Sequence, residues 1–231
     1  MEKIIWSGYE WLKQERWGDH HPDSSLTYHD PTAVELCGET LILKTQKNPK
    51  QFEDGKTRPI GIGLVSCTEK FGYGYFEIEA LLPTGPKLWP AFWMWGWESW
   101  PPEIDIFEAY SNSRGNYFNK WYKFYHPWNV ATNVHYGRSA DHHQIRAKNH
   151  WFGIKDPAKE FLKYSCEWQE TRIDIFYNER HVRSVTDKNV LSYFKNQQMY
   201  VILNNSVQIG TEVENHPTSK FKINYFKYQK L

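Results

Sequence analysis

Three carboxylates crowd one short stretch of the chain: Glu103, Asp105 and Glu108, in the run Glu103-Ile-Asp-Ile-Phe-Glu108. Carboxylates in close pairs suit one kind of chemistry. A protonated member gives its proton to a leaving oxygen while an ionised member attacks or stabilises the carbon left behind, which is the equipment of glycosidic bond cleavage. A strand places residues i and i+2 on one face, so Glu103 and Asp105 point the same way. Glu108 lies five positions after Glu103, and a regular strand would aim it at the opposite face. One β-bulge near Ile106-Phe107 restores its parity and leaves Ile104, with Ile106 or Phe107, for a core. Three acids on one face repel one another, so a purely structural use of them would be odd.

The elements that must hold these acids can be read around them. The stretch from Leu88 to Tyr110 contains five tryptophans ahead of the acids. Trp89, Trp93, Trp95 and Trp97 share one parity and Leu88, Phe92 and Met94 the other, so one face is cleft and the other core. Trp100-Pro101-Pro102 breaks the chain just before Glu103, because consecutive prolines do not sit in a central strand. Upstream, Ile60–Ser66 and Tyr73–Leu82 alternate as strands, with a turn at Pro83–Pro86. Thr40–Thr45 reads as a short strand and Gln46–Pro59 as a polar loop turning at Asp54-Gly55. Residues 1–35 are aromatic and polar by turns, with loop character at His20-His21-Pro22. Asp19-His20-His21 lacks matching metal-ligand spacing and reads as a solvated loop.

Downstream, 111–130 is a long aromatic loop of the kind that carries function. Ala131–Gly137 is a strand ending on His135, and Arg138–His150 a basic, histidine-rich loop. Residues 160–186 give two strands, a turn at Asn178-Glu179 and a third short strand. Met199–Val207 and the C-terminal Phe221–Lys230 complete the set. Arg172–Tyr177 imitates the acidic run but has neither glutamate, so Asp174 reads as structural. Asn204-Asn205-Ser206 is a glycosylation sequon placed within a strand, where it would go unused. Many short strands, no helix of any length, no repeat and no linker mean a β-sandwich or barrel.

Leu88–Gly96 (LWPAFWMWG) followed by Glu103–Glu108, with Lys70–Pro83 (KFGYGYFEIEALLP) before them, resembles glycoside hydrolase family 16, in its bulged Glu-x-Asp-x-x-Glu branch. That branch holds laminarinases, agarases, porphyranases and κ-carrageenases. The resemblance covers most of Gly61–Leu231 and implies an all-β jelly-roll sandwich of two antiparallel sheets with a concave substrate cleft, residues 1–231 forming one catalytic domain. Asn224 departs from the pattern, standing where an Asp is common.

Carried over position by position, the resemblance makes Glu103 the nucleophile, Asp105 the assisting acid and Glu108 the general acid/base. Counting the bulge, Glu103 and Glu108 are four strand steps apart, about 13 Å between Cα atoms. Two long glutamate side chains on an inward-curving sheet can lean together across that gap to the roughly 5–5.5 Å that a retaining mechanism needs. Asp105 lies between them, and like charges keep the cluster from ionising fully; a proton on Glu108 is expected. Flat C–H faces of sugars suit tryptophan platforms, so Trp93, Trp95 and Trp100 are expected substrate-binding residues. His135 resembles a histidine that relatives carry near the cleft. No metal or organic cofactor is required, although relatives often carry a structural calcium on the convex side.

Composition agrees with this reading and excludes others. The 231 residues include 12 tryptophans and 15 tyrosines, more than packing requires. A net charge of +1 sets up no global field to select nucleic acid, a membrane or a highly sulfated polymer. Cys37, Cys67 and Cys166 lie far apart without zinc spacing and read as small buried residues. There is no apolar run of membrane length. The N-terminus lacks the apolar core of a signal peptide, and a secreted or periplasmic protein whose signal has been removed is expected, acting as a monomer on a polysaccharide. The leading function is an endo-acting, retaining hydrolase of a β-linked polysaccharide, β-1,3-glucan first. Hydrolysis of a marine galactan (agar, porphyran or carrageenan) and a non-catalytic carbohydrate-binding jelly roll are the alternatives.

Overall fold

Alternating side chains become two stacked sheets. The computed structural model of the chain describes residues 1–21, 24–113, 115, 117, 128–152, 156–214 and 216–231, with backbone alone for 128–129 and 147–152. One sheet has eight strands in the order β1 (Lys3–Trp6), β2 (Tyr9–Leu12), β7 (Leu64–Cys67), β16 (Met199–Val207), β9 (Leu88–Gly96), β10 (Glu103–Ala109), β11 (Trp128–Gly137) and β12 (His143–Phe152). The other runs β15 (Arg180–Val185), β14 (Ile173–Tyr177), β13 (Leu162–Trp168), β8 (Gly74–Leu81), β17 (Ser219–Lys230), β5 (Thr40–Gln51), β6 (Thr57–Ile62) and β3 (Thr27–His29), with β4 (Val34–Cys37) also on β5. Pairing is antiparallel except between β3 and β6, which run parallel. The single α-helix among the described residues, α1 (Lys188–Leu191), is one turn long. No helix among them is long and apolar enough to cross a membrane.

The core lies between the sheets. Phe92, Met94, Ile104 and Phe107 from the first sheet meet Phe76, Ile78, Tyr164 and Phe221 from the second, all fully buried. The Phe107 ring sits 4.5 Å from that of Tyr164 and 6.0 Å from that of Phe221. Fully burying side chains of this size stabilises the fold by about 1.5–3 kcal/mol each. The parity read on β9 is realised: Leu88, Phe92 and Met94 are buried, and the tryptophans of the other face are half-buried on the cleft side. Between Ile62 and Leu64 the chain leaves one sheet and joins the other. A Cβ at Gly63 would lie 2.6 Å from Ala33 O and 2.7 Å from Lys44 N, so only glycine passes here.

Three expectations change, and one stretch left unassigned gains strands. The polar stretch after Thr45 is not a loop: β5 continues to Gln51 and pairs with β6 across a turn at Asp54-Gly55. Its side chains are polar because they face solvent, while backbone pairing makes the strand. The basic segment 138–150 likewise contains most of β12, which pairs along its whole length with β11. It is an edge strand, where charged side chains guard the free backbone against further pairing. The first 35 residues also carry strands, β1 and β2 forming a hairpin. Finally, Cys67 and Cys166 are buried but Cys37 is exposed, since it closes the tight β4–β5 hairpin opposite Thr40. Most of the aromatic loop 111–130 lies outside the described residues.

Candidate active site

β10 is central in its sheet, with β9 on one side and β11 on the other. Its pairing with β9 follows one register from Glu103–Trp95 to Asp105–Trp93, then shifts by one residue to Phe107–Phe92 and Glu108–Ala91. The pairing with β11 shifts in the same interval, from Asp105–Asn133 to Glu108–Ala131. That is the bulge read from the sequence, with Ile106 as the extra residue. A bulged residue drops out of the ladder, and the Ile106 carbonyl finds another partner: the buried Tyr177 hydroxyl, on the opposite sheet, donates to it at 2.7 Å. Replacing Tyr177 with phenylalanine is expected to cost about 1–3 kcal/mol of stability by orphaning that carbonyl. It should also lower activity although Tyr177 lies outside the cleft; denaturant unfolding and initial rates check both.

Glu103, Asp105 and Glu108 line one cleft together with Trp93, Trp95, Trp100 and His135, so all seven residues singled out above converge. The cleft measures about 770 Å³. Cross-strand register explains the grouping: Glu103 lies opposite Trp95 on one side and His135 on the other, and Asp105 opposite Trp93 and Asn133. His135 Nε2 stands 3.5 Å from Glu103 Oε1 and 3.3 Å from Asp105 Oδ2. The Trp100 indole N–H donates to Glu103 Oε2 at 2.6 Å, and its ring stacks on Trp95 at 5.6 Å. Trp93 is pinned by its N–H on Asn204 Oδ1 at 2.8 Å. This occupies the amide of the sequon residue, whose side chain faces the cleft.

Glu108 is held differently. Trp89 Nε1 donates to its Oε1 at 3.1 Å, the Tyr110 hydroxyl donates to the same oxygen at 2.7 Å, and the Asn133 amide donates to Oε2. Burial and the neighbouring carboxylate push the Tyr110 phenol far up, which keeps it a donor.

The electrostatics bear on the two buried acids. Glu103 and Asp105 are 9% and 2% exposed, whereas Glu108 is only half-buried. Burial first, then the Asp105 charge, holds Glu103 well above the usual carboxylate range, outweighing His135 and the Trp100 hydrogen bond. Burial first, then the Glu108 charge, raises Asp105 as well. Glu103 and Asp105 also hydrogen-bond each other. Both buried acids thus resist charge in the free protein, because burial penalises the ionised form.

Several residues that line the cleft or hold its side chains escaped the sequence reading. Asn133 and Tyr110 were within reach of the same parity rule, each two positions from a residue already chosen. Glu15 and Trp17 were not, since they come from an irregular segment after β2. Trp17, 41% exposed, packs its ring 4.6 Å from Trp95 in the cleft wall. His143 at the start of β12 lies 4.7 Å from Trp100, ring to ring, and 3.3 Å from His135 Nδ1. Asp174, read as structural, stands on the other sheet with Arg172 Nε at 3.0 Å. Asp19 is committed to His20 and Lys50. Among the described residues the metal-capable cluster is Glu103, Asp105 and His135, whose ligand atoms lie within 4.8 Å of one another. These are residues of the cleft itself and not a convex-side site.

Comparison with known proteins places this arrangement. A family model described as Glycosyl hydrolases family 16 matches residues 23–227. The endo-1,3-1,4-beta-glycanase ExsH of Rhizobium meliloti (strain 1021) is 28% identical over 176 residues, which are 73% of this chain and 33% of that protein. The glucan endo-1,3-beta-glucosidase A1 of Niallia circulans is 26% identical over 192 residues, 78% of this chain and 24% of that one. This chain thus spans about a quarter to a third of their length. The crystal structure of LamAcat from Zobellia galactanivorans superposes with a TM-score of 0.73 at 21% identity, covering 99% of this chain and 89% of the other.

Proposed function

Since the chain belongs to glycosyl hydrolase family 16, we propose that it is an endo-acting, configuration-retaining hydrolase of a β-linked polysaccharide, with β-1,3-glucan its first substrate. The observation that carries this reading is the bulge in β10, which gathers Glu103, Asp105 and Glu108 on the cleft face. Relatives named for cleaving 1,3- and 1,3-1,4-linked β-glucans support the choice of polymer. Residues 1–231 act as one catalytic domain, because strands from β1 to β17 build a common core.

The steps are those of a retaining glycosidase, with the roles that the resemblance implies. Glu103, ionised, attacks the anomeric carbon; the bond to the leaving oxygen breaks as Glu108 gives that oxygen its proton. The sugar is then covalently attached to Glu103 with inverted configuration. Glu108, now a carboxylate, takes a proton from water, whose oxygen displaces Glu103 and restores the β configuration. Asp105, whose charge bears on Glu103, is the assisting acid. His135 and Trp100 steady Glu103; Asn133, Trp89 and Tyr110 steady Glu108. Trp93, Trp95 and Trp100 offer ring faces to the sugars.

Family members generally work without a cofactor, and these steps need none. A structural calcium stays an expectation from the resemblance alone. The enzyme works as a secreted or periplasmic monomer.

The test is a panel of laminarin, lichenan, agarose, porphyran and carrageenan scored for new reducing ends. Cleavage of laminarin, with β-anomeric products seen first by proton NMR, is the expected result. Cleavage of a galactan alone would move the substrate to that polymer class. Binding to a polysaccharide without release of reducing ends from any would overturn the enzymatic reading.

A further inference from the structure

One acid in the cleft wall has no place in those steps. Glu15 follows β2 in an irregular segment fixed by its backbone: its N–H donates to His29 Nδ1 at 3.4 Å, and its carbonyl accepts from the Gly18 N–H at 3.3 Å. Glu15 is among the residues that line the cleft, with Trp17, Trp95 and Glu103, yet it is 0% exposed, and its carboxyl feels the charge of Glu103. Both carboxyl oxygens are buried with no hydrogen-bond partner among the described residues. Buried polar atoms are normally paired, and an orphaned carboxyl at the edge of a binding cleft asks for a partner.

Among the described residues the Arg16 backbone N–H and charge ease the burial of this carboxyl without offsetting it. The adjacent Arg16 guanidinium lies over the Trp97 ring at 3.6 Å and the Tyr200 ring at 4.9 Å, and donates to Trp97 O at 3.3 Å. His29 carries no charge near neutrality, because burial lowers it to about 4. Burial, then the charge of Glu103, pushes Glu15 well above the usual carboxylate range. That favours its protonated form, in which the carboxyl has one donor and one acceptor. A sugar hydroxyl has the matching pair.

We infer that Glu15 is a substrate-binding residue that hydrogen-bonds a hydroxyl of a sugar seated against the Trp17–Trp95 wall beside Glu103. This rests on the glycanase reading above. The carboxyl is closed from water in the free protein, and rotation about its three side-chain torsions meets the arriving hydroxyl. Pairing formed out of water discriminates strongly, since a sugar lacking that hydroxyl would leave the acid orphaned again.

Binding is measured by calorimetry in the Glu103→Gln background, so that hydrolysis does not intervene. The probes are β-1,3-linked glucose oligosaccharides, with mixed-linkage and agarose oligosaccharides alongside. Adding Glu15→Gln, which keeps a donor and an acceptor, should hold affinity within about threefold; adding Glu15→Leu should weaken it about 10- to 100-fold. The melting temperature of Glu15→Leu should not fall, because an orphaned polar group gives way to an apolar one. Undiminished binding by the Leu variant overturns the inference alone. So does a fall in both melting temperature and affinity common to the Gln and Leu variants, which marks a structural acid. Failure of the Glu103→Gln parent to bind any probe overturns the glycanase reading, and this inference with it.

Discussion

Replacing Glu103 with glutamine is expected to lower kcat on laminarin by about four orders of magnitude or more, the scale seen when an enzyme loses its nucleophile. The amide cannot ionise, so no covalent bond to the anomeric carbon forms. Folding should survive: glutamine has the same shape, accepts the Trp100 N–H through its carbonyl, and removes a charge from a nearly closed site. Near-UV circular dichroism confirms the fold and reducing-end release gives the rate; activity within tenfold of the parent would reassign the nucleophile. The same residue sets a pH limit. Glu103 must be charged to attack, and burial with Asp105 raises it above its ordinary value of 4.5. Activity should fall as pH drops through that raised value, so the acid limb of the kcat/KM profile lies above the ordinary carboxylate range. A limb at 4.5 or below would contradict the raised Glu103.

Replacing Glu108 with glutamine should be nearly as damaging for polysaccharides, about 10²–10⁴-fold, the usual contribution of general acid–base catalysis. The two variants separate on leaving group. An aryl β-glucoside oligomer with a strongly acidic phenol departs without a proton, so the Glu108 variant should form its glycosyl-enzyme at close to the parent rate. The Glu103 variant should gain nothing. The hydrogen bonds from Trp89, Tyr110 and Asn133 all end on Glu108 oxygens, and an amide nitrogen in either place loses an acceptor. A burst of phenol followed by slow turnover checks the assignment; equal loss on activated and natural substrates would contradict it.

How far the chain could be read ahead of its structure depended on whether meaning was local. Side-chain parity is local, so the acids, the tryptophan face of β9 and the bulge near Ile106 were all visible in the run from Leu88 to Tyr110. The same rule extended two positions reaches Asn133 from His135. Strand β12 and the far half of β5 were misread because their side chains are polar, and polarity reports exposure. Their backbone pairing depends on partners elsewhere in the chain. Glu15 and Trp17 had no periodic frame around them; only the folding of the segment after β2 brings them to the cleft.

The hydrogen bond from Tyr177 to the Ile106 carbonyl bears on how this protein tolerates mutation. It makes the outer sheet answerable for the aim of the inner sheet's acids. A library randomised over β14 and screened only for soluble expression would accept variants that a screen for turnover rejects. The gap between the two screens at position 177 measures how much of the catalytic geometry is set from outside the cleft. Directed evolution toward a new polymer would therefore do well to leave β14 fixed and vary the cleft wall around Trp17.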